Sequence, residues 1–200
     1  MAAKLPVWGL DVGQYSLKAI KLQCAGDGVE ILAVDLVEHE TILAQAEAEA
    51  PAMIKKAIAT FLSRNDLRDS QVVVSVPGQQ TLTRFTKMPP VEAKKIPDMV
   101  KYEASQQIPF DMDEVVWDYQ VFTGADSPDV EVGIFAIRKE LIRNHLAHFT
   151  NQGIEPIIVQ TSPMASYNAA RYECTPEQGK ATILLDMGAL ATDLIIFEGN

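Results

Sequence analysis

Leu10-Asp11-Val12-Gly13-Gln14-Tyr15-Ser16-Leu17-Lys18-Ala19-Ile20 decides the reading of this chain, because it returns as Leu185-Asp186-Met187-Gly188-Ala189-Leu190-Ala191-Thr192-Asp193-Leu194-Ile195. Each copy reads as an apolar strand ending at Asp, a turn built on Gly, and a second apolar strand. The copies stand too far apart for a solenoid, whose period is about 20–50 residues. Domain-scale spacing predicts two related lobes, each presenting an Asp and a Gly turn to a shared cleft.

The pattern has a chemical sense. A Gly in the turn lets backbone N–H groups approach phosphate oxygens without a Cβ in the way. An Asp at the end of the preceding strand can hold a water of hydrated Mg²⁺, an ion that takes one or two carboxylates and keeps several waters. Asp11 and Asp186 are the expected metal residues, acting through water. Two facing hairpins would clamp the β- and γ-phosphates of ATP. Gly13, Gln14 and Tyr15 form the first turn, and Gly188 and Ala189 the second. Ser16 and Thr192 could add hydroxyl contacts, and Lys18 a point cation. One Asp-x-Gly alone is also an ordinary hairpin corner; the second copy in matching strand context favours the phosphate reading. No P-loop and no Gly-x-Gly-x-x-Gly accompanies it.

Working outward, Val7–Val12, Ser16–Leu22 and Val29–Val37 read as a three-stranded meander, with Gly26-Asp27-Gly28 as a turn. The stretch 38–50 is ambiguous between loop and helix. Pro51 suits a first helical turn, and Ile54, Ala57, Ile58, Phe61 and Leu62 follow as one apolar stripe. Gln71–Val76 is a near-continuous apolar run, as expected of a strand buried on both faces. Next come a strand over 81–88, a helix over 91–107 with Pro97 as kink or true start, and strands over 115–122 and 130–137 joined by a polar loop, 124–129. A helix over 139–152 ends at Gly153. Leu141, Ile142, Leu146 and Phe149 face inward along it. A strand over 156–159, a helix from Pro163 to Tyr172, a loop over 175–179 and the second Asp-Gly hairpin complete the chain.

The 200 residues, 48% apolar and 22% charged, are those of a globular protein with a real core. No apolar run approaches the ~20 residues of a membrane span, and the start lacks a signal-peptide core. A net charge of −10 disfavours nucleic-acid binding but permits nucleotide binding. Cys24 and Cys174 have neither metal nor redox spacing and read as reduced thiols.

At these residues the chain resembles the actin-like ATPase superfamily, which includes actin, Hsp70, sugar kinases and the division protein FtsA. Leu10–Ala19 is similar to its first phosphate motif and Leu185–Leu194 to its second. Val72–Gly78 with Thr83-Arg84-Phe85, Lys95-Ile96-Pro97 leading to Tyr102-Glu103-Ala104, Gln107-Ile108-Pro109-Phe110 and Trp117-Asp118-Tyr119 resemble the PilM family of type IV pilus assembly proteins. The resemblance implies an α/β fold: an RNase-H-like core over 1–78 and 154–181, an inserted α/β subdomain over 79–153, and a hairpin over 182–200 opening an incomplete second lobe. It implies a cytoplasmic adaptor at the inner face of the cytoplasmic membrane. That adaptor would bind ATP and Mg²⁺ and the N-terminal tail of a PilN-like membrane protein, in a groove between core and insert that includes Arg84, Phe85, Ile96, Met99 and Val100. Self-association or contact with other platform proteins is a further implication. The alternatives are an FtsA-like filament former and an active phosphotransferase of the sugar-kinase kind.

Two departures bear on activity. Tyr15 stands where relatives usually carry a small residue. Ser162 occupies the place where the family often has a Glu or Gln to position water, with Gln160 two residues away, so slow or absent hydrolysis is expected. Elsewhere, His145 and His148 read as solvated helix residues and Trp117 and Tyr119 as core. Asp111, Asp113, Glu114 and Asp118 read as a solvated acidic rim.

Overall fold

The computed structural model describes residues 5–122, 129–175, 177 and 179–198. Residues 124–128 of the expected polar loop, Pro176 and Gln178 of the next, and most of the N-terminal hexapeptide lie outside the described residues. In chain order the strands are β1 (Val7–Val12), β2 (Ser16–Ala25), β3 (Gly28–Glu38), β4 (Gln71–Val76), β5 (Leu82–Met88), β6 (Val115–Phe122), β7 (Val130–Arg138), β8 (Ile158–Thr161), β9 (Ala181–Met187) and β10 (Thr192–Glu198). The helices are α1 (Ala50–Arg64), α2 (Ile96–Gln107), α3 (Lys139–Thr150) and α4 (Ser162–Glu173). The chain divides into two compact units, Met1–Gly78 with His145–Asn200, and Gln79–Asn144. The division falls within α3, earlier than the 153 boundary expected from sequence.

In the first unit β1, β2 and β3 form the antiparallel meander, β4 joins β1 in parallel and β8 joins β4 in parallel, giving the sheet order β3-β2-β1-β4-β8. This is the RNase-H-like order the resemblance implies. Helix α1 begins with Pro51 in its first turn and buries Ile54, Ala57, Ile58 and Phe61. These meet Trp8, Leu10 and Val12 of β1, Leu17 and Ala19 of β2, and Val72 and Val74 of β4. Trp8 stands edge-on to Phe61 at 5.1 Å. Each such large side chain contributes about 1.5–3 kcal/mol by leaving water. The backbone of β4 alternates in burial, with Val72, Val74 and Val76 buried and Val73 and Ser75 only partly so. The expectation of burial on both faces is therefore corrected: one face of β4 packs on α1, and the other carries Ser75.

Strand β8 starts two residues later than expected. Pro156 has no N–H to give, and Ile157 donates to Val72 O at 2.8 Å before the ladder begins. Among the described residues, strands β9 and β10 pair only with each other. Phe197 is the buried anchor of this hairpin, edge-on to Tyr167 of α4 at 5.3 Å.

The second unit is an antiparallel sheet of order β5-β7-β6. Helix α2 covers one face, burying Val100 and Ala104 against Met88, Val115, Val132, Ile134 and Ala136. It starts at Ile96 with Pro97 in its first turn, so Pro97 marks the start and not a kink. The opposite face carries Phe85, Phe122 and Phe135 around Gly133, where a Cβ would lie 3.1–3.3 Å from all three rings. No helix among the described residues is long and apolar enough to cross a membrane.

Candidate functional site

The two Asp-Gly turns are built alike. Gly13 N–H donates to Ser16 O at 2.9 Å, and Gly188 N–H donates to Ala191 O at 2.9 Å, at the equivalent positions of the repeat. A Cβ on either glycine would press on the carbonyl that closes its turn, at 3.3 Å for Gly13 and 3.1 Å for Gly188. Small size is what both turns require. Leu10 and Leu185 hold the same place in the repeat, yet Leu10 is buried and Leu185 exposed.

Asp11 sits at the end of β1, opposite Lys18 of β2. Its carboxylate accepts the Ser75 hydroxyl, and Lys18 Nζ stands 3.8 Å away. Because Leu10 pairs with Val74, the ladder places Asp11 beside Ser75, and Ser75 pairs with Gln160 of β8. Lys18, Asp11, Ser75 and Gln160 thus form one polar row across four strands. The row lies at the carboxyl ends of the parallel strands β1, β4 and β8, where open α/β sheets place their ligands.

The second turn is tied to the same end of β4. Gly78 N–H donates to Ser162 Oγ at 3.1 Å, and Ser162 Oγ donates to Asp193 Oδ2 at 3.0 Å. Gly78 is itself confined: a Cβ there would stand 2.7 Å from Pro163 and 2.8 Å from Asp193 Oδ1. Ser75 and Gly78 are three residues apart, so the anchoring points of the two hairpins lie within about 11 Å. Asp186 pairs directly with Asp193, and Ser166 of α4 reaches Asp186 Oδ2 at 3.5 Å.

Several expected residues take specific positions. Tyr15 is half exposed at the tip of the first turn. Gln14 and Tyr15 give their carbonyls to Leu43 N–H (3.0 Å) and His39 N–H (2.8 Å). Ser16 is buried, and its part in the turn is its carbonyl. Lys18, Asp186, Gly188, Ala189 and Thr192 are exposed. Of the five residues expected at a partner groove, Val100 is 0% exposed inside the second unit's own core, with Ile96 and Met99 packed against that cluster. Val100 therefore has no surface to offer a partner, whereas Ile96 and Met99 stay partly exposed. Arg84 and Phe85 are exposed, and as neighbours on a strand they project to opposite faces.

The histidines were misjudged from sequence. His145 donates from α3 to Ser75 O at 2.8 Å, and both it and His148 are partly buried. Burial pushes His145 below the usual imidazole range, against the opposing pull of its Ser75 hydrogen bond and the Asp11 charge. His39, unremarked in the sequence, is buried with Nε2 3.2 Å from Gly13 O, and burial lowers its pKa as well. Trp117 and Tyr119 stack at 6.4 Å and pack against the second unit's core, as expected. Cys24 and Cys174 are free and exposed.

The donor set suits a hard cation carried by phosphate. Asp11 and Asp186 offer carboxylate oxygens, and among the described residues no cluster of three or more metal-ligating side chains exists. One or two carboxylates with waters and phosphate oxygens is the manner in which Mg²⁺ is held.

Among solved structures, the chain is similar to one from a "PilM-PilN type IV pilus biogenesis complex", with a TM-score of 0.73 and 24% identity, over 98% of this chain and 59% of that one. It is also similar to the cytoplasmic domain of EpsL, an inner membrane component of the type II secretion system of Vibrio cholerae. There the TM-score is 0.54 and the identity 11%, over 96% of this chain and 71% of that one. These likenesses establish the actin-like ATPase fold. The chain spans 59% of the length of the first of these structures. The family described as type IV pilus assembly protein PilM matches residues 9–200. A match over nearly the whole length decides the matter: the chain belongs to the PilM family of type IV pilus assembly proteins.

Proposed function

We propose that this chain binds ATP with Mg²⁺ between its two Asp-Gly turns. In this reading it acts as a cytoplasmic adaptor at the inner-membrane platform of a type IV pilus, engaging the N-terminal tail of a PilN-like membrane protein. The observation that carries the nucleotide part is the pair of matched turns, both anchored on the end of β4 through Ser75 and Gly78. Asp11 and Asp186 would hold the water shell of Mg²⁺, the Gly13 and Gly188 turns would receive phosphate oxygens, and Lys18 would offset their charge. Titration of MgATP by calorimetry tests this. Binding should weaken at least about tenfold in Asp11→Asn and in Asp186→Asn, the loss of one charge-assisted contact. Unchanged affinity in both variants contradicts the reading.

Hydrolysis is proposed to be slow. The hydroxyl of Ser162 is committed to Gly78 and Asp193 and is not free to orient a water. A second reading, an active phosphotransferase, is favoured by Gln160, which lies in the polar row beside Ser75. Phosphate release separates the two: turnover of about 1–100 s⁻¹, the range of kinases, selects the second.

The partner part rests on the likeness to the PilM–PilN structure. On this chain the exposed aromatic cluster of the insert offers a peptide its apolar surface: Phe85, 62% exposed, has Phe122 at 6.1 Å and Phe135 at 6.4 Å. Phe85→Ala should weaken binding of a synthetic N-terminal PilN-like peptide by about tenfold or more without unfolding the protein. A peptide that binds both forms equally contradicts this placement.

A further inference from the structure

Two histidines hold backbone carbonyls close to Asp11, one in the first turn and one on β4, and no function assigned above uses them. His39, at the end of β3, brings Nε2 to Gly13 O at 3.2 Å. His145, on α3, brings Nε2 to Ser75 O at 2.8 Å. Gly13 lies two residues beyond Asp11 in the chain, and Ser75 holds the Asp11 carboxylate through its hydroxyl. A carbonyl oxygen only accepts, so each Nε2 must carry the proton. The third histidine of the chain, His148, makes no such contact; it neighbours His145 at 6.4 Å.

We propose that His39 and His145 are positioning residues: as neutral Nε2–H donors they pin the Gly13 and Ser75 carbonyls and so fix the Asp11 carboxylate and the first turn before any ligand arrives. Three features support a pin over mere packing. Both rings donate from the same nitrogen to the same kind of acceptor. Both contacts flank one carboxylate, one along the chain and one across the ladder. His39 keeps Nδ1 buried and, among the described residues, without a partner, an arrangement tolerable only for the neutral ring with the proton on Nε2. In the second hairpin the carboxylate equivalent to Asp11 is Asp186, which has Ser166 Oγ at 3.5 Å, while Asp193 across the ribbon is held by Ser162. The consequence for MgATP affinity rests on the proposed function; the pinning itself does not.

The test is nitrogen NMR of the histidine side chains in nucleotide-free protein at neutral pH, combined with leucine and glutamine replacements. Both rings should show the Nε2–H tautomer. An Nδ1–H tautomer or a doubly protonated ring at either position overturns the inference. His39→Leu and His145→Leu should each raise amide exchange of the Gly13 turn about tenfold, the loss of one net hydrogen bond. His39→Gln and His145→Gln, which can place an N–H at the Nε2 position, should restore protection to within about threefold. Glutamine variants that exchange as fast as the leucine ones, at equal melting temperature, overturn it too. In a parallel MgATP titration, affinity should follow the same order. If the wild-type protein binds no MgATP, the nucleotide reading fails, while tautomer and exchange alone still uphold or overturn the pin.

Discussion

The two Asp-Gly hairpins share a sequence pattern and a turn, yet they live in different surroundings. The first lies inside a five-stranded sheet. Its Leu10 and Leu17 are buried under α1, and its turn is braced by His39 and Leu43. The second is a separate two-stranded ribbon that leaves Ile183, Leu185, Met187, Leu194 and Ile196 exposed. Where the first sets Lys18 opposite Asp11, the second sets Asp193 opposite Asp186. The same local signal therefore produces the same turn geometry, while neighbouring elements decide its stability and charge. The first hairpin is built into a sheet and its core, and the second is held through Ser162 and Phe197.

The equivalent leucines break this comparison most sharply. Leu10 is 2% exposed and Leu185 is 54% exposed. Leu10→Ala should cost about 2–5 kcal/mol in urea unfolding, whereas Leu185→Ala should stay within about 0.5 kcal/mol. Equal costs would mean that the hairpins are not packed as described. Next comes the tie between them. Gly78→Ala places a Cβ against Pro163 and Asp193 and should cost about 1–3 kcal/mol, with shifts in the amides of β10 exceeding those of β1. A smaller effect follows from pH. Burial holds His39 and His145 below their ordinary pKa, so the unfolded chain binds more protons than the native one as pH falls below about 6.5. Their contribution is fully present above that pH and is lost on acidification through the folded values. The double variant His39→Gln, His145→Gln should show a shallower decline in melting temperature between about pH 6.5 and 5. Smallest of all, Lys18→Met should change stability by no more than about 1 kcal/mol, since its contact with Asp11 is solvent-exposed.

Much of this was legible in the chain. The meander, the stripe on α1 and the repeated Asp-Gly turn follow from local periodicity and glycine placement, which neighbours along the sequence determine. What escaped was non-local. The polar row joins residues from β2, β1, β4 and β8, and only strand order brings Gln160 beside Ser75. His145 reads as a polar position on an amphipathic helix until β4 is seen beneath it. The apolar face of α2 reads as core before docking surface, and the β5-β7-β6 sheet buries its Val100 and Ala104. Nothing local to Ser162 foretells its bonds to Gly78 and Asp193, which join residues far apart in the chain.

The central claim is that both turns grip one metal-bound polyphosphate. Paramagnetic broadening by Mn²⁺-ATP tests it most directly. As the complex is titrated in, amides of residues 11–14 and of residues 186–189 should broaden together, at the same ratio of ligand to protein, and Mg²⁺-ATP should reverse both. Broadening confined to one hairpin, or absent from both, would contradict the account.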